Sequence, residues 1–261
     1  MSKRKIQSLV FAGVLSLLAV AAVAQAEIAQ KGDLRVKFEG QLTPHSLPRS
    51  TQAPVKVAVS AKISPVGNAE LPQLRTMSIA INRFGNINTK GLPVCELNDI
   101  QPATTADALA VCRKSLVGEG SFTADVPSSG RAPFPSEGKL YAFNGVSEGR
   151  PAILAHVYGV RPAPTSFTLV FLISKSGGTY GNTLKVALPS SKAGGAITGI
   201  SLSLSKTFKS HGKTQSYVTG SCPAPKGVKV AGFPFAKASL AFSDGRKVNS
   251  TLNRSCSVRG K

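Results

Sequence analysis

One long apolar run opens the chain, and no second one follows. Lys3, Arg4 and Lys5 precede a stretch from Ile6 to Val23 broken only by Gln7, Ser8, Gly13 and Ser16, and Ala24-Gln25-Ala26 comes next. A basic start, an apolar centre and small residues at the end are the order of a secretory signal, so residues 1–26 are expected to be cleaved on export. The strongly apolar part, Leu9–Val23, is about fifteen residues and falls short of the roughly twenty a membrane-spanning helix needs.

After residue 26 apolar and polar positions alternate. Val55, Val57 and Val59 share one face, as do Leu202 and Leu204; a period of two predicts half-buried strands. Gly- and Pro-containing turn signals recur between such segments, so the chain is expected to be all-β. Thr104-Thr105-Ala106-Asp107-Ala108-Leu109-Ala110 departs from this pattern. A threonine N-cap, an acid in the first turn and good helix formers predict one short helix near 104–113.

The strands state one plan twice. PVKVAVSAKIS leads to Leu71-Pro72, then RTMSIAIN and a loop ending in GLPVC at Cys95. TSFTLVFLIS leads to Leu188-Pro189, then ITGISLSLS and a loop ending in YVTGSC at Cys222. A further strand pair follows each cysteine, the second pair joined at Ser243-Asp244-Gly245. This predicts two similar antiparallel β-sandwich-like halves, 27–150 and 151–261, meeting near Glu148-Gly149-Arg150-Pro151. The alternative is a tight turn there within a single sandwich.

Four cysteines in an exported chain point to two disulfides. Cys95, Cys112, Cys222 and Cys256 form no C-x-x-C and have no nearby histidine pair, so no metal site is expected. Sequence proximity and the repeat predict Cys95–Cys112 and Cys222–Cys256.

Charge is unevenly spread. Residues 27–150 hold fourteen Lys and Arg against eleven Asp and Glu, whereas 151–261 hold fifteen against Asp244 alone. Such a balance attracts polyanions. Lys206, Lys209 and Lys213 cluster around one loop and form the candidate anion-binding set. Lysine neutralises anions without demanding planar, bidentate geometry. Export, few aromatics for base stacking and the lack of an RNP or helix-turn-helix pattern argue against nucleic acid. Anionic envelope polymers or a membrane surface are the partners expected.

Catalytic motifs are poor. Gly145-Val146-Ser147-Glu148-Gly149 imitates a nucleophile elbow, but that elbow requires a following helix and Pro151 with an apolar β-branched segment follows instead. His45 and His211 fall in loops, and His156 in the apolar strand AILAHVYGV, where a core role is expected. No cofactor motif is present. The function expected is a non-enzymatic binding or structural protein of the cell envelope, with a protein-interaction module or a hydrolase built on Ser147 and His156 as rivals.

The strings GDLRVKFEGQLTPHSLPR, LPQLRTMSIAIN, GLPVC, YAFNG, AHVYG, SYVTGSCPAPKG and FPFAKASLAFSDG, with Cys256 near the end, resemble a group of uncharacterised exported bacterial proteins. The resemblance implies export and four cysteines, and carries no activity or site residues.

Overall fold

A computed structural model describes residues 26–259 apart from 102, 129–130, 162–163 and 189–194; the expected signal segment 1–25 lies outside them. In chain order the elements are β1 (Glu27–Lys31), β2 (Leu34–Thr43), β3 (Ser46–Leu47), β4 (Ala53–Pro54), β5 (Lys56–Pro65), β6 (Leu74–Asn82) and β7 (Gly85–Ile87). Then come β8 (Cys95–Glu96), α1 (Leu97–Ile100), α2 (Thr105–Cys112), β9 (Leu116–Ser128), β10 (Arg131–Ser147), β11 (Arg150–Gly159), β12 (Thr165–Lys175) and β13 (Tyr180–Ala187). The chain ends with β14 (Ala196–Leu204), β15 (Thr207–Ser210), β16 (Lys213–Ser216), β17 (Val218–Gly220), β18 (Val230–Phe242) and β19 (Lys247–Val258).

The all-β class holds, and the helix forms where expected. Thr104 caps α2, its hydroxyl accepting from the Asp107 amide while the Asp107 carboxylate accepts from the Thr104 amide. Both predicted disulfides are present, Cys95–Cys112 and Cys222–Cys256. Cys95–Cys112 pins α2 over the outer face of the sheet, where Ile100, Ala108, Phe143 and Leu154 form a second, smaller core.

The expected division at Arg150 takes another form. One large sheet runs β1-β2-β5-β14-β9-β10-β11-β12-β13-β6-β18-β19-β3, and a single core draws on both halves. The Ser147–Arg150 step is the tight-turn alternative, a two-residue hairpin with Glu148 at φ 51° and Gly149 at φ 71°.

The repeat is nevertheless visible in the topology. The run β1-β2-β5-β14-β9-β10 matches β11-β12-β13-β6-β18-β19 strand for strand in chain order, with one exchange. β14 of the second half sits between β5 and β9, and β6 of the first half sits between β13 and β18. Registers agree: Ser201 of β14 lies opposite Ser121 of β9, and Ser78 of β6 opposite Ser239 of β18. β12 therefore corresponds to β2 and not to β5, one strand away from the sequence alignment. Alternating apolar strands look alike in sequence, and only their hydrogen-bonded neighbours tell them apart.

The sheet curls until β19 lies against β1 and β2, the counterpart of the β10–β11 contact. This seam is fastened by side chains. Arg254 Nε donates to the Gly40 carbonyl (2.6 Å), and Arg246 pairs with Asp33. Gly40 leaves room there, since a Cβ would come within 2.7 Å of Leu252 Cδ1 and 3.1 Å of the Phe235 ring. Along β2, Leu34, Val36, Phe38 and Leu42 point inward and are buried, while Arg35, Lys37 and Gln41 point outward. That is the reverse of a membrane-spanning barrel, whose outer band is apolar.

Candidate functional site

The curled sheet encloses a lumen, and its two ends differ. At one end lie the segments 43–56, 83–115 and 205–229, together with the termini of β1 and β19; at the other lie the short turns near 32, 66, 160 and 244. The first end is covered by a small sheet, β4-β17-β7. In it Asn86 pairs with Thr219, flanked by Ile87 with Val218 and Gly85 with Gly220. β7 and β17 follow the exchanged strands β6 and β14, so the local two-fold axis relating the halves passes through the Asn86–Thr219 pair.

Beneath this cap is a cavity of about 80 Å³. The exchanged strands line it as matched pairs: Met77 with Ile200, Ile79 with Leu202, and Ile81 with Leu204. Phe38 and Phe171, equivalent positions of β2 and β12, line it from the flanks. The polar groups that reach it have partners. Asn82 donates to the Pro234 carbonyl and accepts from the Phe84 amide, and Asn86 donates to Asn88 (2.5 Å). A water needs about 10–15 Å³ and two to four polar partners, so this space suits an apolar occupant better than water. Left empty, about 80 Å³ costs the fold about 2 kcal/mol at about 24 cal/mol per Å³. Nothing in the alternation marks it, because valines and isoleucines read the same whether their side chains meet or leave a gap.

The candidate lysines are placed at this same end but not as one patch. β15 and β16 form a hairpin tipped by His211 (φ 49°) and Gly212 (φ 73°). Lys209 lies opposite Thr214, and Lys213 opposite Ser210. Lys209 and Lys213 thus face opposite sides of the ribbon. Lys206 precedes the hairpin and is half-buried.

What the fold does bring together is charge from both halves. Lys56, Arg83 and Lys90 join Lys209, Lys213, Lys226 and Lys229 as exposed cations at the capped end. No ion pair is formed by any of these among the described residues. Segment 205–229 contains no Asp or Glu. Arg49 is spent inside the structure, its guanidinium donating to the carbonyls of Ala224, Pro225 and Val228. The acids nearby serve locally: Asp99 and Asp107 cap the two helices, and Glu148 pairs with Arg150 in the β10–β11 turn at this end. At the opposite end Arg246 bridges Asp33 and Asp244. The basic second half thus gains cations from the first half, Lys56, Arg83 and Lys90, at the capped end.

Ser147 and His156 are not assembled. Ser147 ends β10 opposite Arg150, whereas His156 pairs with Tyr141 six steps along β11, roughly 20 Å away at 3.3 Å per residue. His156 is fully buried under the helical layer, and neither ring nitrogen has a hydrogen-bond partner. Burial holds its pKa below the usual value, an approach to the Ile100 carbonyl offsetting part of this. Cys95, Cys112 and Asp99 lie close together, but the two sulfurs are bonded to each other and offer no thiolate to a metal. No protein-family model, curated protein or solved structure matches this chain.

Proposed function

We propose that the chain is an exported, non-enzymatic binding protein of the cell envelope that meets anionic headgroups or polymers with its capped, basic end. The observation that carries this reading is the placement of exposed cations from both halves at one end. Low-dielectric walls and like charges concentrate the potential at such an end. Two disulfides fit an extracytoplasmic location, and export through residues 1–26 would start the mature chain at Glu27. N-terminal sequencing of exported protein checks that start; a chain retaining Met1 refutes it.

Binding to phosphatidylglycerol vesicles and to polyphosphate, measured on the mature chain, tests the reading. Both should weaken as salt rises, because the screening length falls from about 30 Å at 0.01 M to about 10 Å at 0.1 M. Replacing Lys209, Lys213, Lys226 and Lys229 by Gln should weaken binding about tenfold or more, one factor of ten per 1.4 kcal/mol. Replacing Arg35, Lys62, Lys185 and Lys247, away from the cap, should change it less than about twofold. Equal losses in both variants would mean that the charge serves solubility alone.

A further inference from the structure

The basic end and the apolar cavity adjoin. Lys56 stands between the lining residues Val55 and Val57, Arg83 between Asn82 and Phe84, and Lys206 two residues beyond Leu204. The Arg83 guanidinium lies over the Phe84 ring, 5.2 Å from its centroid, so cation and cavity wall are in direct contact. Here the interior offers no charge and no unpartnered polar side chain, while the segments that build it present positive charge outward.

We infer that the cavity, about 80 Å³, holds the tail end of the alkyl chain of an anionic single-chain amphiphile, whose remaining methylenes pass the cap and whose head stays at the basic end. This rests on the reading that the basic end binds anions, and adds the part of the ligand that enters the fold. The division of labour follows from the chemistry. A chain of methylenes needs no hydrogen bonds and fits the lining of Met77, Ile79, Leu202 and the two phenylalanines. A carboxylate or phosphate could not be desolvated there without a partner, and finds Lys56, Arg83 and Lys206 outside. The chain enters beside the cap, where the β7–β17 ladder is only three residue pairs long.

The cavity provides its own reporter. The chain contains two methionines, Met1 and Met77, and Met77 lines the cavity. Octanoate, octyltrimethylammonium and hexanoate are titrated against protein labelled at the methionine methyl carbon and followed by NMR. Octanoate should shift the Met77 methyl saturably, bind about fourfold more tightly than hexanoate for each methylene added, and bind at least about tenfold more tightly than the ammonium analogue. Leu202→Phe, which fills the cavity, should weaken octanoate at least about tenfold and leave polyphosphate binding unchanged. Should Leu202→Phe fail to fold, Lys56→Gln with Arg83→Gln and Lys206→Gln takes its place, and octanoate should lose its advantage over the ammonium. An unmoved Met77 methyl, equal affinity for both head charges, or octanoate binding that survives filling overturns the inference. If polyphosphate still binds in those cases, only the cavity assignment falls; if it does not, the surface reading falls with it.

Discussion

Among the described glycines, Gly120 is where the barrel wall leaves least room for a side chain. It lies on β9 opposite Leu202 of the exchanged strand β14, and a Cβ there would stand 1.8 Å from the Ser201 carbonyl oxygen. Ordinary contact begins near 3.4 Å, so Gly120→Ala must push β9 and β14 apart by about 1.5 Å, a third of the normal strand spacing of about 4.8 Å. Two or three ladder hydrogen bonds on either side would be lost or stretched, at about 1 kcal/mol each. The expected loss is about 2–3 kcal/mol. Gly118, whose Cβ would sit 2.3 Å from the Ser203 oxygen, should behave alike. The equivalent positions on β18 are Ala236 and Ala238, so the close approach belongs to the first half's crossing alone. Equilibrium urea unfolding followed by far-ultraviolet circular dichroism measures it. Gly232→Ala and Gly177→Ala serve as references, since nothing lies within 4 Å of a Cβ at either, and each should change stability by less than about 0.5 kcal/mol. A Gly120→Ala protein as stable as Gly232→Ala would refute this account of how the exchanged strand is seated.

Other outcomes follow from the fasteners and the buried histidine. Removing Cys95–Cys112, which spans 17 residues, should cost about 3 kcal/mol, and removing Cys222–Cys256, which spans 34, nearer 4 kcal/mol; urea midpoints of the paired Cys→Ala variants would show it, and equal stability with or without the bridges would contradict it. Because burial lowers the His156 pKa in the folded chain, the unfolded chain binds more protons as pH drops below about 6.5, and stability should fall by up to about 1.4 kcal/mol per pH unit through that window. His156→Leu should remove this part of the pH dependence, and identical slopes for the two proteins would discount it. Arg254→Ala should lose about 2 kcal/mol, the worth of a hydrogen bond from a charged donor to the Gly40 carbonyl, whereas Lys247→Ala should be near neutral.

Local chemistry in this chain was legible and partnership was not. The Thr104 and Asp107 pairing that starts α2 is set by residues within reach of one another and appears where the sequence placed it, while the two-residue turn at Glu148-Gly149 was the alternative to the expected division there. The disulfides were equally readable, because a repeat with one cysteine pair in each half leaves short loops to close. Which strands lie side by side depends on contacts far apart in sequence. Val59 and Leu202 each announce an inward face, but nothing in either says that β5 will pair with β14 (Val59 opposite Leu202). The exchange of β6 and β14 therefore escaped the sequence, and with it the single core, the cap formed by β7 and β17, and the cavity between them. The anion-binding candidates suffered in the same way. Lys209 and Lys213 are neighbours in sequence but face opposite sides of a ribbon, while Lys56 and Arg83 belong with them only once the sheet has curled.

The exchange of β6 and β14 makes the barrel a two-fold dimer written on one chain. Neither half can complete its sheet without a strand lent by the other, so residues 27–150 alone would leave a gap between β5 and β9 and a loose β6. The hairpin at Glu148-Gly149 joins the halves at the place equivalent to the gap between the end of β19 and the start of β1. Those two points are interchangeable in the symmetry. A chain opened between Glu148 and Gly149 and closed from β19 to β1 would keep every strand beside its present neighbours, and the seam now held by Arg246 and Arg254 would become a covalent turn. A single copy of the repeat could build the same barrel only as a pair, each partner threading its fourth strand into the other.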